Sequence, residues 1–177
     1  ALFDTLSQEE KENIYSISME EYTFLTQEER MNLMAELGKV AGVKALLPAE
    51  GNYIGSLWSS SIFTQPDRKR EHARRIGVMD VSSDFFEFMN MPLQAGVLPK
   101  TENEIVVTEG FEKMMEKEML GQMVYDFEDI GYTITGICYH ATRSVGKSNG
   151  EDVQTNCIFY PLKEEESFHC YVKCEPG

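Results

Sequence analysis

Cations are scarce in this chain. Its 177 residues hold 16 Lys and Arg against 30 Asp and Glu, for a formal net charge of −14 at pH 7. Phosphate backbones are held by clustered Lys and Arg, so a surface this acidic repels nucleic acid at long range. It also disfavours docking on anionic lipid headgroups. Long hydrophobic runs are missing too, since no segment approaches the roughly 18 consecutive apolar residues of a membrane-crossing helix. The start, Ala1-Leu2-Phe3-Asp4, passes at once into polar residues, without the apolar stretch of a signal peptide. There is no initiating Met, and a processed product or a piece of something longer is expected.

Cysteine is sparse as well. Cys138, Cys157, Cys170 and Cys174 are far below the density of a disulfide scaffold. Cys170 and Cys174 lie in Phe168–Cys174, which reads as a strand. Four strand residues span about 13 Å, whereas a disulfide needs Cα atoms within about 7 Å. Zinc binding by this pair with His169 fails on the same geometry, and no CxxC spacing exists. Free, partly buried thiols are expected.

What is present describes an ordinary globular chain. Hydrophobic residues make up 42% and charged residues 26%, and the length predicts one domain, or one with a sizeable insertion. Residues 1–12 read as a polar leader. Asn13–Leu25 alternates best over Tyr15–Met19, a strand signal. Thr26-Gln27-Glu28-Glu29 is a capping box. Leu33, Met34, Leu37, Val40 and Ala41 then follow at helical spacing to Gly42, the expected terminator. Val43–Leu47, closed by Pro48, completes a β-α-β unit with a helix long enough for a crossover between parallel strands.

Gly51–Thr64 suggests a hairpin, Asp67–Arg75 a basic loop, and Ile76–Val81 a strand. Ser82-Ser83-Asp84 should cap a short helix, and Met91–Gly96 reads as an irregular link. Glu104–Thr108 is a strand leading into a helix over Glu109–Leu120. Gln122–Phe127, Tyr132–Tyr139, Val153–Tyr160 and Phe168–Cys174 complete the strands.

Few constellations suggest chemistry. Ala141–Ser148 fits a relaxed phosphate-binding loop, but Asn149-Gly150-Glu151-Asp152 follows where a helix must start. Asp126–Gly131 lacks the spacing of a calcium loop and reads as a connection between strands. His72, His140 and His169 match no metalloprotease or nucleophile-elbow pattern, and His140 with Cys138 has no third orienting group. The ten Met read as core filler. Arg68, Lys69, Arg70, Arg74 and Arg75 form a basic island in an acidic protein. It reads as a solvated loop or as a site steering an acidic partner. The residues alone reach a soluble α+β domain that is not an enzyme and needs no cofactor or metal.

Several segments, taken in order, resemble the extracytoplasmic core domain of MacB/FtsX-like ABC-transporter permeases, between their first and second transmembrane helices. The clearest is Val81-Ser82-Ser83-Asp84-Phe85-Phe86-Glu87-Phe88-Met89-Asn90-Met91-Pro92-Leu93-Gln94-Ala95-Gly96. Glu104–Glu109 is similar to the family's strand leading into a helix, and Leu120–Val124 to its "iGk" turn and strand. Tyr132-Thr133-Ile134-Thr135-Gly136-Ile137-Cys138 is similar to its "tVvGVv" strand, and Ile158–Pro161 to a strand ending in Pro. Asn13–Leu47, with Ala41-Gly42-Val43, looks like the opening β-α-β. The chain departs from the pattern after the helix link, where family members often carry Gly-Arg and here Gly96 is followed by Val97 and Leu98, and in lacking an acidic-Pro pair before the "iGk" turn.

The resemblance implies two lobes. A porter-like lobe would comprise 13–50 plus 164–177, its second β-α-β unit truncated or excised, and 51–163 would be an inserted strand-rich lobe with short helices. It further implies a non-catalytic domain at the periplasmic face of the inner membrane, coupling ATP-driven motion to export or to a partner protein. Expected partners are the parent's transmembrane helices, a separate cytoplasmic ATPase and a periplasmic adaptor or substrate protein. The parent is expected to be a dimer. The alternatives are a ligand-binding module with a groove between the lobes, contacted by Tyr53, Trp58 and Phe63, and a hydrolase using His140 or an acidic pair.

Overall fold

The computed structural model describes residues 13–18, 25–50, 58–139, 156–163 and 169–176. In chain order the elements are β1 (Ile14–Ser18), α1 (Gln27–Leu37), β2 (Val43–Glu50), β3 (Trp58–Phe63), β4 (Ala73–Val81), α2 (Phe85–Phe88) and β5 (Leu93–Gly96). Then come β6 (Glu104–Thr108), α3 (Glu109–Met115), β7 (Met123–Tyr125), β8 (Gly131–Cys138), β9 (Cys157–Pro161) and β10 (His169–Cys174). The class is α+β, dominated by strands.

β10 pairs antiparallel with β1 on one side and with β2 on the other, so β1 and β2 run parallel with β10 between them. The crossover read from the sequence is thus a split β-α-β. α1 starts as its first residues dictate: Glu29 N donates to Thr26 Oγ1 at 3.2 Å, and Thr26 N donates to Glu29 Oε2 at 2.7 Å.

β4, β3, β7, β8, β6 and β9 neighbour one another in that order, and β9 returns to β4 in parallel register from Gly77 with Cys157 to Val81 with Pro161. The six strands therefore close into a ring. Its thinnest seam is β3 to β7, joined at the single pair Phe63 with Tyr125. One buried cluster draws Ile62, Ile76, Ile105, Val107, Val124, Ile134, Ile137 and Ile158 from all six ring strands, with Phe111 of α3. Because strand side chains alternate, the intervening residues Val106, Cys157 and Phe159 face outward. They join a second cluster with Phe85, Phe86 and Phe88 of α2 and with Ile14, Leu47 and Tyr171 of the three-stranded sheet. The second cluster fastens that sheet to the ring, and β2 touches β4 through Ala49 with Val81 and Glu50 with Asp80.

Two segments of the family resemblance meet where Gly96 of β5 pairs with Gly136 of β8. A Cβ at Gly136 would stand 2.9 Å from the Val97 carbonyl oxygen, and one at Gly96 (φ 80°) would run into that of Thr135. Close backbone approach requires glycine at both.

The elements differ from expectation in several places. α1 ends at Leu37, with Gly38 still right-handed, and Gly42 (φ 88°) serves the turn into β2 instead. No α1 residue is buried, because the adjacent core, Cys170 and Val172, is small enough for Met34 and the sheet's own Ile17, Val43 and Leu46 to cover. β2 runs through Pro48 to Glu50, where it meets β4. Arg74 and Arg75 belong to β4, and 93–96 is a strand. α3 stops at Met115 because the chain turns at left-handed Glu116 (φ 54°), and the Met119 amide then donates to Glu112 Oε2 at 2.9 Å.

Candidate functional site

Residues 64–72 join β3 to β4 and carry the first part of the basic island. Asp67 organises the loop: its carboxylate accepts from the Lys69 amide at 3.1 Å and lies 2.8 Å from His72 Nδ1. The His72 bond is the main reason that Asp67 titrates below the usual carboxylate range. Arg68 sits at φ 51° and reaches Asp129, itself at φ 63°, in a bidentate pair: Nε to Oδ1 at 2.7 Å and Nη2 to Oδ2 at 2.6 Å. The pair lowers the Asp129 pKa and raises that of Arg68.

Arg74 Nη1 donates to the carbonyls of Glu71 and Ala73 at 3.0 and 2.8 Å, and Arg75 Nη2 donates to Ser59 Oγ at 3.0 Å. Lys69, 64% exposed, stands 3.8 Å from Asp67, and Arg70 is exposed. The five cations therefore differ in how they are held. Three guanidinium groups are engaged by neighbours, while Lys69 and Arg70 project.

Of the aromatic candidates, Phe63 is 7% exposed and packs edge-to-face on Phe127 at 5.9 Å. Trp58 opens β3 opposite Val78, and Tyr53 lies outside the described residues. So do His140 and the phosphate-loop-like segment 141–148. Cys138, Cys157, Cys170 and Cys174 form no disulfide, and the first three are buried. Burial pushes the thiols of Cys138 and Cys170 up, which leaves them as packing groups rather than thiolate nucleophiles. Among the described residues, no group of three or more His, Cys, Asp or Glu could hold a metal ion.

The feature missed in the sequence lies at the other end of the Arg68–Asp129 pair. Asp126–Ile130 connects β7 to β8, and Asp126 shapes the turn. Its Oδ1 accepts from the amides of Glu128 (2.8 Å) and Ile130 (2.9 Å), and its Oδ2 accepts from the Tyr132 hydroxyl at 3.2 Å. Tyr132 packs edge-to-face on Tyr160 of β9, ring centroids 5.0 Å apart. Asp80 of β4 stands opposite Tyr160 in the parallel register. Beside these rings opens a cavity of about 340 Å³, lined in part by Asp80, Glu102, Ile130, Tyr132, Tyr160 and Lys163. A hollow of about 250 Å³ adjoins it through Asp80 and Tyr160, and adds Asp126 and Phe127.

Burial, aided by the Asp126 charge, pushes Tyr132 up to about 12, and burial also raises Tyr160. Both phenols stay protonated at neutral pH. The only sequence signal was the acidic run at 126–129, because the two tyrosines meet only through strand register.

No protein-family model and no curated protein matches the sequence. Solved structures do. The periplasmic region of MacB from Actinobacillus actinomycetemcomitans matches with a TM-score of 0.59 at 12% identity, over 98% of this chain and 80% of that one. The extracellular domain of the ABC-type transporter YknZ from Gram-positive bacteria matches with a TM-score of 0.54 at 13% identity, over 92% and 82%. A domain ascribed to a permease protein of Porphyromonas gingivalis matches with a TM-score of 0.57 at 17% identity, over 81% of this chain, which spans 66% of that domain's length. The fold is that of the extracytoplasmic domains of ABC-transporter permeases. It is the MacB-like architecture that Val81–Gly96 and Tyr132–Cys138 resemble. Among the described residues, no helix is long and apolar enough to cross a membrane.

Proposed function

We propose that the chain works without chemistry of its own, as the extracytoplasmic domain of an ABC-transporter permease, at the periplasmic face of the inner membrane. It couples ATP-driven motion of the parent to export or to a partner protein. ATP is hydrolysed by a separate cytoplasmic ATPase, and the parent is a dimer. The two lobes are 13–50 with 164–177, and 51–163. The observation that carries this reading is the shared core, in which Ile14, Leu47 and Tyr171 pack with Met79 and Phe159. A core common to sheet and ring supports rigid-body tilting, because packed interfaces switch between discrete arrangements rather than deform continuously. Lys69 and Arg70 are proposed as docking cations for an acidic patch on that partner.

The test begins with the parent reading frame, which should encode membrane spans on both sides of this segment. The full-length permease, reconstituted with its ATPase, should then lose partner-stimulated ATP hydrolysis when this domain is deleted, while basal hydrolysis persists. A parent without spans, or stimulation that survives the deletion, overturns the reading. Charge reversal at Lys69 and Arg70 should reduce partner recovery in a pull-down, and unchanged recovery removes the island from the site.

A further inference from the structure

We propose that the tyrosine-walled acidic cavity between β4, β8 and β9 is a docking site for a Lys or Arg side chain, presented beside an apolar residue by a segment of a partner protein. The cavity's size, about 340 Å³, suits one long side chain rather than a folded surface. Its walls supply what such a group needs. Asp80 and Glu102 bring formal charge, and the Tyr132 and Tyr160 rings line the same space, where aromatic groups attract cations most strongly if water is partly excluded. Asp126 has one oxygen engaged within its turn and the other by the Tyr132 hydroxyl, yet adds its charge from the adjoining hollow.

Two exposed apolar side chains stand beside it: Ile130, 40% exposed, in the cavity lining, and Phe127, 54% exposed, in the adjoining hollow. A partner residue next to the cation therefore finds a hydrophobic contact. Among the described residues Lys163 is the one cation in the lining, and it is exposed. The Arg68–Asp129 pair links the turn that carries Phe127 and Ile130 to the β3–β4 loop. An acidic segment is disfavoured by the same charges. This inference rests on the reading of the chain as a domain that meets a partner protein, and it names that partner's chemistry.

The experiment is an amide NMR titration of the full chain with the blocked peptide acetyl-Leu-Arg-Phe-Lys-Leu-amide. The control is the same peptide carrying citrulline and acetyl-lysine in place of its two cations. The charged peptide should shift resonances around Asp80, Asn103, Ile130, Tyr132 and Tyr160, and the uncharged one should bind at least about tenfold more weakly.

Asp80→Asn with Glu102→Gln should cost about tenfold. Glu116→Gln with Glu118→Gln, which removes the same charge elsewhere, should cost less than about twofold. Tyr160→Leu should weaken binding roughly three- to tenfold, and Lys163→Ala should tighten it.

Equal losses from the two charge-matched double variants overturn the proposal, as do shifts centred on Asp67–Arg75 or scattered over the surface. Concentration-dependent self-association abolished by Arg70→Glu would assign the cavity to a second copy and likewise overturn it. If a cavity double variant loses its fold, the exposed Lys163→Ala decides, since unchanged affinity there counts against the site. The peptide experiment reads this chain alone, so it can fail while the ATPase experiment succeeds.

Discussion

The six-stranded ring and the three-stranded sheet are built from the same kinds of residue and differ in how completely they cover themselves. In the ring, Ile76, Ile105, Val107, Ile134 and Ile158 have no measurable exposure, and closure leaves few free strand edges. In the sheet, β10 is flanked on both sides, but α1 buries none of its residues and leaves Met31 63% and Leu33 39% exposed. The sheet owes its attachment to the shared cluster around Tyr171 and to Lys173, whose Nζ donates to the Phe88 carbonyl at 2.6 Å and lies 4.5 Å from the Phe88 ring. The ring closes on itself. The sheet is a plate fixed to it at one face and at its β2 edge, with α1 against the other face.

The sharpest way to break this comparison is to remove one buried side chain from each side. Tyr171→Ala should cost about 3–5 kcal/mol, and Ile158→Ala in the ring about 2–5 kcal/mol, in denaturant unfolding. If the plate depends on the junction, Tyr171→Ala should also split the transition into two, with amides of β1, β2 and β10 exchanging ahead of the ring. A single transition for both variants would show that sheet and ring fold as one unit.

A smaller effect should separate the helix from both. Thr26→Ala removes half of the capping box and should cost about 1 kcal/mol, read as faster hydrogen exchange within Gln27–Leu37. Ring amides should keep their protection. Ring amides that lose protection equally would contradict the loose attachment of α1.

The smallest effect is electrostatic. Asp129 titrates below its ordinary 3.8 because Arg68 holds its charged form. Its contribution is therefore present above that value and fades as pH falls through the lowered one. The pair is exposed, so stability should barely move. Arg68→Ala should return the Asp129 midpoint toward 3.8 in a carboxyl-carbon NMR titration, and an unmoved midpoint would discard the pair.

Local patterns carried much of this architecture. The segment Glu104–Thr108, read as a strand, is β6 residue for residue, and Thr26 with Glu29 forms the cap their spacing implies. The glycines at 96 and 136 mark segments whose resemblance to permease domains agrees with the fold. The same patterns overextended both longer helices. Periodicity shows where apolar residues could face a core but not whether the facing sheet has room for them, and α1 met a core that the sheet already covered.

The site was less legible. An island of five cations is visible in sequence, but the partner that neutralises Arg68 lies 61 residues away. The cavity's tyrosines come from strands whose contact is set by register.

By itself, then, the sequence determined most of the strands and their order along the chain, the start of α1 and the acidic balance. Each depends on residues within a few positions of one another. Only the tertiary structure decided that six strands close on themselves, that β10 enters between β1 and β2, and that Tyr132 meets Tyr160 beside Asp80. These depend on pairing between distant segments, where shifting a register by one residue turns every side chain to the opposite face.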